Sequence, residues 1–227
     1  HCFYHCLDAF TAGVGGAVGV PVVTKRTEAY IGNGATVDAK ANFGSVLVKT
    51  GDFGISFVDE NDAGDHEVTS VDLGNDDVDD PSASQQRVAT PQTRLMNGVA
   101  VTATNRDDIE TYSVGAGVSG TVAVQGSASI NVVSNTTTAF IGNGAEVNQD
   151  HTGVGSDQSV LVTAGNDYSH VGVAGAAAIS GTVAVTPGVD VTVVNNDTSA
   201  YIGQSAKVDA QKDVEVHANA AEDVLSV

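Results

Sequence analysis

One nine-residue phrase occurs three times in this chain, and its spacing constrains the fold more than any other feature. Residues 29–37 read Ala-Tyr-Ile-Gly-Asn-Gly-Ala-Thr-Val, residues 139–147 read Ala-Phe-Ile-Gly-Asn-Gly-Ala-Glu-Val, and residues 200–208 read Ala-Tyr-Ile-Gly-Gln-Ser-Ala-Lys-Val. The second and third copies lie 61 residues apart, and the same spacing carries residues 119–124 onto residues 180–185. The first copy lies 110 residues before the second. A fixed spacing of this size predicts a stacked repeat architecture, with an insertion between the first two units.

Within each unit, short runs of alternating apolar and polar residues are separated by Gly, Asn, Asp and Ser. Residues 121–124, 129–133 and 160–164 are examples, and this period of two predicts β-strands. No run has apolar residues at helical spacing behind an N-cap, so we expect an all-β fold. Because 61 residues divide into three coils of about 20, we expect a solenoid of parallel strands with about three rungs per unit. That gives about nine rungs and a rod of roughly 40 Å.

The Gly-Asn-Gly triplets at residues 32–34 and 142–144 predict tight corners, because glycine and asparagine tolerate positive φ. In the third unit Gly-Gln-Ser stands at residues 203–205, so we expect a corner of another type there. From the last Val of the phrase to the next Val-x-Val pair, the chain takes 9, 13 and 6 residues in the three units. One corner therefore varies in length while the strands keep their pattern.

Four segments divide the chain. Residues 1–10 match nothing in the repeats, residues 11–50 form the first unit, residues 51–98 are an insertion, and residues 99–227 continue the repeats. The insertion holds 11 acidic and 2 basic side chains. Its charge and its polar, proline-containing end predict a lateral excursion from the stack, part of it mobile.

Two groups of side chains have the chemistry of metal ligands. Cys2 and Cys6 lie next to two histidines, and three interpretations are open. The segment is a compact zinc site, it holds a short-range disulfide, or it is terminal sequence foreign to the repeat. In the insertion, oxygen ligands around Gly64 loosely follow the start of a calcium loop, although Ser70 stands where the bidentate Glu belongs. The alternative is a flexible acidic loop that aids solubility. No cofactor is required; the candidate Ca²⁺ ligands are Asp59, Asn61, Asp62 and Asp65.

The charge of the chain excludes some classes of partner. A formal net charge of −19 repels phosphate backbones and anionic lipid headgroups, so we expect neither nucleic-acid binding nor membrane insertion. No apolar run approaches the roughly 20 residues that span a bilayer. Residue 1 is His and both ends cut into the repeat pattern, so we interpret the chain as a fragment whose secretion signal, if any, lies upstream.

Residues 135–147, followed by Val-Leu-Val-Thr-Ala at 160–164 and Ser-Gly-Thr-Val-Ala-Val at 180–185, resemble the repeat region of very large bacterial surface proteins. These are the filamentous-haemagglutinin-like or leukotoxin-like adhesins. The resemblance implies a secreted, right-handed parallel β-helix that acts as a stalk on the cell surface. The implied partners are a protein or glycan of a host or neighbouring cell, and further repeats of the same protein.

An enzyme is the alternative, because parallel β-helices also host hydrolases and lyases that act on polysaccharides or esters. Their sites collect carboxylates and a basic residue on one face. Solvated charges on corner loops explain the same residues without catalysis. The candidate clusters are Asp107, Asp108 and Glu110 near Arg106, and Asp209 and Asp213 near Lys212.

Other motifs have simpler interpretations. Residues 115–120 match the dinucleotide fingerprint as letters, but a strand follows where the fingerprint needs a helix, which favours close packing of small residues between rungs. The elbow pattern of a serine hydrolase, Gly-x-Ser-x-Gly, is absent from the sequence. Four histidines occupy no repeated position, and we expect each to be an exposed loop residue; they are His66, His151, His170 and His217.

Overall fold

The computed structural model describes residues 12–58, 68–69 and 87–227. This part of the chain consists of strands joined by turns and irregular segments, which confirms the all-β prediction. It contains no helix, and therefore none that is long and apolar enough to cross a membrane. The strands are β1 (Ala12–Gly19), β2 (Val22–Ile31), β3 (Thr36–Val37), β4 (Val46–Val58), β5 (Val68–Thr69), β6 (Arg87–Ser119), β7 (Val122–Ile141), β8 (Glu146–Val147), β9 (Gln158–Ser180), β10 (Val183–Val185), β11 (Gly188–Ile202), β12 (Lys207–Val208) and β13 (Val214–Ser226).

Parallel pairing arranges most strands in three layers. The first layer holds β1, β2, β3 and β6 from Asn97 onward, the middle layer holds β7 to β9, and the third holds β10 to β13. Between the first two layers, paired residues lie 110 apart in β1 to β3 and 61 apart in β6. Between the middle and third layers, paired residues lie 61 apart in the sequence. In β13 they lie 54 apart, because the corner before β13 is shorter. Changes in corner length therefore leave the strand register intact.

Three sheets run across the layers. The β7 sheet contains β1, β2, β7, β10 and β11, and the small β8 sheet contains β3, β8 and β12. The β9 sheet has the order β13-β9-β6-β4-β5 and is mixed, because β4 pairs antiparallel with both β5 and β6. In each layer the chain visits the β7 sheet, the β8 sheet and the β9 sheet in that order.

The prediction of about three rungs per unit is wrong, because one layer uses the whole 61-residue unit. β7 has 20 residues and β9 has 23, so long strands replace the short runs that the sequence predicts. Gln125 and Ser127 lie in the gap between the predicted runs 121–124 and 129–133, but they continue β7, where their side chains point inward and are buried. The described residues thus form three layers at about 4.8 Å spacing, and not nine rungs.

The apolar core lies at the end of the layers where β8 turns the chain. In β7 the odd-numbered side chains point inward, and Ile141 is fully buried. Val147 and Val160 are also fully buried, because the outer layers cover the middle layer on both sides. Burying a side chain of this size contributes about 1.5–3 kcal/mol. The buried cluster consists of Val99, Val101, Ala103, Ala139, Ile141, Ala145, Val147, Val160, Val162 and Ala164.

Beyond this cluster the space between the facing sheets is polar. Asn105, Asn135 and Asn166 expose no more than 3% of their surface. Asn105 Nδ2 donates to Asn166 Oδ1 over 2.7 Å, between paired positions of two layers. The Asp107 carboxylate accepts hydrogen bonds from the amides of Asn105 and Asn135, at 2.7 and 2.9 Å. These hydrogen bonds offset part of the desolvation of the buried groups, while Asn105 Oδ1, Asn135 Oδ1 and Asn166 Nδ2 have no hydrogen-bond partner among the described residues.

Small residues let the facing sheets approach each other in this polar half. A Cβ added to Gly117 would lie 2.0 Å from Nε2 of Gln125, and one added to Gly115 would lie 2.9 Å from the carbonyl oxygen of Gly126. Small residues therefore pack closely here, but these contacts join facing sheets, whereas the sequence predicted packing between rungs. The strand β7 follows this segment, where a dinucleotide site would need a helix.

The three corners after the β7 sheet share one conformation, so the prediction of a different third corner is wrong. Gly34 and Gly144 have φ of 66° and 65°, and Ser205 has φ of 57°. Pairing between layers imposes this shape: the Gly203 amide donates to the carbonyl of Ile141 in the layer above, at 2.8 Å. Ser205 thus adopts a left-handed conformation that costs a residue with a side chain about 1–2 kcal/mol.

Ser205→Gly is expected to raise the free energy of unfolding by about 0.5–1 kcal/mol, because relief of the left-handed strain exceeds the entropy cost of glycine. Urea denaturation of the two proteins measures the difference. Gly144→Ser is the matched control at the equivalent position of the middle layer, and it should lower the stability by a similar amount. An unchanged or lower midpoint for Ser205→Gly would contradict the strain argument.

Candidate functional site

A β-hairpin from the acidic segment lies on the outer face of the β9 sheet. β4 and the first part of β6 pair antiparallel, with Val46 opposite Met96. The hairpin touches β9 through glycine: a Cβ on Gly165 would lie 2.0 Å from the carbonyl oxygen of Gly51. Thr163 Oγ1 also donates to the carbonyl of Thr50 over 2.7 Å. The outward face of β9 is therefore buried where the hairpin covers it, and Thr163 has no exposed surface.

Arg87 fastens this hairpin to the layers. Its guanidinium donates two hydrogen bonds to the carboxylate of Asp167, at 2.8 and 2.7 Å. The Asp167 side chain is fully buried and that of Arg87 is 8% exposed, so water screens this ion pair very little. Asp108 of the first layer lies 3.4 Å from the same guanidinium. The hydrogen bond to Asp167 raises the pKa of Arg87 above its ordinary value, although burial opposes this.

A charged cleft of about 360 Å³ opens at the base of the hairpin. Arg94 reaches it from β6, Asp157 from the corner before β9, and Lys212, Asp213 and Glu215 from the start of β13 and the corner before it. The cleft thus brings two cations and three carboxylates together. The full lining is Ser45, Arg94, Leu95, Met96, Asn97, Asp157, Ser159, Val160, Lys212, Asp213 and Glu215.

Most charges of the cleft are already paired. Arg94 forms an ion pair with Glu215, and Lys212 Nζ lies 3.8 Å from Asp157 Oδ1. Asp213 has no side-chain ion pair or hydrogen bond within the described residues. The four paired side chains are between 38% and 67% exposed, so water screens these pairs. The cleft can therefore bind a polar ligand through its charges, but it holds no buried carboxylate that could serve as a general acid.

The first predicted catalytic cluster is not assembled, because adjacent residues of a strand point to opposite faces. Asp107 points inward, where Lys25 Nζ donates to it over 2.9 Å. Asp108 points outward and accepts a hydrogen bond from Arg106 Nε over 2.6 Å. Glu110 is also on the outer face, where it accepts from the hydroxyl of Tyr112. The sequence grouped these carboxylates by spacing alone, without the alternation of a strand.

The second predicted cluster is divided as well. Lys212 and Asp213 line the cleft. Asp209 lies outside it and accepts a hydrogen bond from Gln149 Nε2 over 3.1 Å, with His151 Nε2 at 3.6 Å. Sequence reasoning missed Arg87 and Arg94, which make the main ion pairs of the hairpin. The available signal was that they are the two basic residues of a segment with 11 acidic ones.

The predicted metal ligands Asp59, Asn61, Asp62 and Asp65 lie outside the described residues, as do Cys2, Cys6 and His66. The calcium and zinc hypotheses therefore stay predictions. Within residues 12–58, 68–69 and 87–227, no group of three His, Cys, Asp or Glu side chains is placed to hold a metal ion.

The prediction of exposed histidines is wrong for His170. Its ring is buried between the sheets, with 1% of its surface exposed, and it stacks with Tyr168 at 6.4 Å. Asn131 Nδ2 lies 3.4 Å from its Nε2. Burial lowers the pKa of His170, although the carboxylate of Asp190 opposes this. Burial also raises the pKa of Tyr168 to about 12.

The other two described histidines differ from each other. The His151 side chain is 55% exposed in a corner, as predicted. His217 is partly buried under the hairpin, where its Nε2 lies 3.0 Å from Thr163 Oγ1 and 2.6 Å from the carbonyl oxygen of Thr50. His217 thus helps to hold the hairpin against the third layer.

Comparison with protein-family models, with curated proteins and with solved structures found no match for this chain. The geometry described above is therefore the basis for assigning a function.

Arg87→Met is expected to lower the free energy of unfolding by about 3–5 kcal/mol, because it leaves the buried Asp167 carboxylate without a partner. Arg87→Met combined with Asp167→Leu should recover most of that loss. Arg26→Met is the matched control, since Arg26 pairs with Glu28 at the surface, and it should change the urea midpoint very little. Equal effects of the two arginine substitutions would contradict the proposed anchor.

His170 is expected to make the protein less stable as the pH falls below about 6.5, the ordinary pKa of histidine. Because burial lowers its pKa in the folded state, the unfolded chain takes up the proton first, and stability is lost at up to about 1.4 kcal/mol per pH unit. Melting temperatures measured from pH 5 to pH 8 test this. His170→Gln removes the group, so the pH slope of that variant should be shallower; identical slopes would refute the assignment.

Proposed function

We propose that this chain is a segment of a right-handed parallel β-solenoid from a secreted or cell-surface bacterial protein, and that its role is structural and adhesive. The proposed coil makes one turn per 61-residue unit. The observation that carries the proposal is the register: strands of three successive units pair in parallel and in the same order, and the spacing of paired residues is constant within each strand pair, at 110 or 61 residues. Each added turn would repeat the same contacts, so length could grow without a new core.

Side-chain ladders along the stacking direction support this reading. Asn33 Oδ1 accepts a hydrogen bond from the backbone amide of Asn143, and Asn143 Oδ1 accepts one from the amide of Gln204, both at 2.8 Å. Beside this corner, the rings of Tyr30, Phe140 and Tyr201 are stacked, at centroid distances of 5.2 and 5.1 Å. Each residue contacts its counterpart in the neighbouring layer, as expected of a solenoid.

The glycine at the corner of the first layer also favours a further turn. A Cβ on Gly142 would lie 2.6 Å from Oδ1 of Asn33, and a Cβ on Gly203 would lie 2.6 Å from Oδ1 of Asn143. Gly32 holds the equivalent position in the first layer, yet an added Cβ would meet no atom of the described residues within 4 Å. A neighbouring turn stacked on the first layer would give Gly32 the steric role that its counterparts have.

In this proposal the coil holds the adhesive region away from the cell, and the hairpin carries that region. Backbone hydrogen bonds between layers make a stiff rod, while the hairpin is fixed to its side by Arg87. The segment 51–98 carries a net charge of −9, from 11 acidic and 2 basic residues. The proposed partner is a protein or glycan on a host or neighbouring cell, and cationic or hydrogen-bonding groups would complement the negative charge of this segment.

Duplication of residues 120–180 tests the solenoid. One additional unit should raise the free energy of unfolding, because a second fully covered layer is created, and should lengthen the particle by about 4.8 Å in solution scattering. The control is the same duplication with Val133→Asp and Val162→Asp in the added unit, since both positions point inward. A duplicated chain that gains neither stability nor length would contradict the proposal.

Deletion of residues 51–98 tests the adhesive role. Asp167→Leu accompanies the deletion, because the loss of Arg87 would leave the buried Asp167 carboxylate without a partner. The shortened chain should then keep its β-sheet circular dichroism and lose binding to cells and glycan arrays. If binding is retained at full strength, the display surface lies elsewhere on the coil.

A second candidate is a hydrolase or lyase, and the cleft is the observation that favours it, since it gathers Arg94 and Lys212 with the carboxylates of Asp213 and Glu215. A panel of polysaccharide and ester substrates tests this candidate. Turnover that disappears in Asp213→Asn and Glu215→Gln, but not in Asp209→Asn, would establish an enzyme. A structural role predicts no turnover with any of the four proteins.

A further inference from the structure

The outer face of the β7 sheet is apolar. We use the term valine face for the outward side chains of residues 14–22, 122–132 and 183–193, which belong to the three layers. Register places Val14, Val124 and Val185 in one row and Val22, Val132 and Val193 in another. The outward positions of these ranges are Val, Ile, Ala, Gly and Pro187, and none of them is charged.

The polarity of the two faces in this part of the sheet is the reverse of that in a sheet with one face in water. The inward positions of β7 include Gln125, Ser127, Ser129 and Asn131, each no more than 5% exposed. The outward positions are β-branched and apolar, and Val18 exposes 59% of its surface. A sheet that faces water on one side normally has its polar residues there. The pattern therefore favours an apolar cover for the outer face.

The size of the face matches a protein interface. Eleven of its Val and Ile side chains each expose between 38% and 73% of their surface. Together they present on the order of 800 Å², which is what each partner buries in a complex of standard size. Soluble monomers seldom expose an apolar patch of more than a few hundred Å².

We propose that the valine face is the interface with a second copy of this chain, and that two β7 sheets pack face to face about a twofold axis. Two such faces are self-complementary, because each is apolar and free of charge at its outward positions. Sheets that pack in this way lie about 10 Å apart with their strands aligned to within about 30°. The pairing direction is perpendicular to the sheet, so it leaves the stacking edges of the layers free.

Charge favours this occupant over others. A glycan would need donors and acceptors that Val and Ile lack, and a cationic partner would find no carboxylate among the outward positions of the face. The net charge of −19 lies elsewhere on the chain and would repel the second copy over a distance. Salt screens that repulsion while the apolar contact persists, so dimerisation should strengthen as the salt concentration rises.

Sedimentation of the full chain between 1 and 100 µM tests the proposal. We expect a monomer–dimer equilibrium that tightens between about 0.05 and 0.5 M NaCl, where the Debye length shortens. Val189→Lys combined with Val193→Lys should weaken dimerisation at least about tenfold, because it places unpaired ammonium groups in the contact. If the lysine variant fails to fold, Val189→Thr with Val193→Thr replaces it. This variant keeps the β-branched shape and should also weaken dimerisation.

The matched control is Val118→Lys with Ile179→Lys, on the outer face of the opposite sheet, where these residues are 57% and 69% exposed. This control should dimerise like the original chain. Four results would overturn the proposal. The first three are a monomer at every concentration, an equal loss of dimerisation in the control, and assembly beyond dimers that the face variants leave unchanged, which would mean stacking of free strand edges. Monomers that bind neutral phosphatidylcholine vesicles through the face would also overturn it, in favour of a lipid surface.

Discussion

In-register parallel pairing between successive units is the interaction on which the structure depends. It sets the spacing of the layers, places like residues above like, and lets one corner shorten while the strands stay aligned. A slip of one residue would turn every inward side chain outward. Ile141 and Val147, which are fully buried beside the shared corner, make such a slip costly. The repeated phrase therefore fixes the register at one end of the long strands.

Away from that corner, pairs of polar side chains hold the strands in register. Asn105 bonds to Asn166 in the layer below, and Asn131 Nδ2 lies 3.2 Å from Asp190 Oδ1 in the next. Buried amides and carboxylates cost free energy whenever a partner is lost, so they specify alignment even though they add little net stability. Glycine and serine on the facing strands keep this interior narrow, and His170 is buried there as a consequence of sheet pairing.

The sequence was sufficient for the spacing and the strand content, because those depend on local pattern. It was insufficient for the length of the strands, because Gln125 and Ser127 separate two predicted runs and only burial against the facing sheet makes them strand residues. The same limit applied to Asp107 and Asp108, which are adjacent in the chain and lie on opposite faces of a strand. Arg87 gave only a weak signal, since its partner Asp167 is 80 residues away.

Stacking and face-to-face pairing, as proposed, act in perpendicular directions and through different chemistry. Stacking uses backbone hydrogen bonds along the axis, and pairing uses the valine face across it. A longer array would extend the valine face by one row of side chains per turn, so the two associations would reinforce each other. Two coils joined along their length would also resist bending better than one, because each sheet would be supported over its whole outer face. In the proposed stalk, the outward valines would therefore add stiffness by joining two coils.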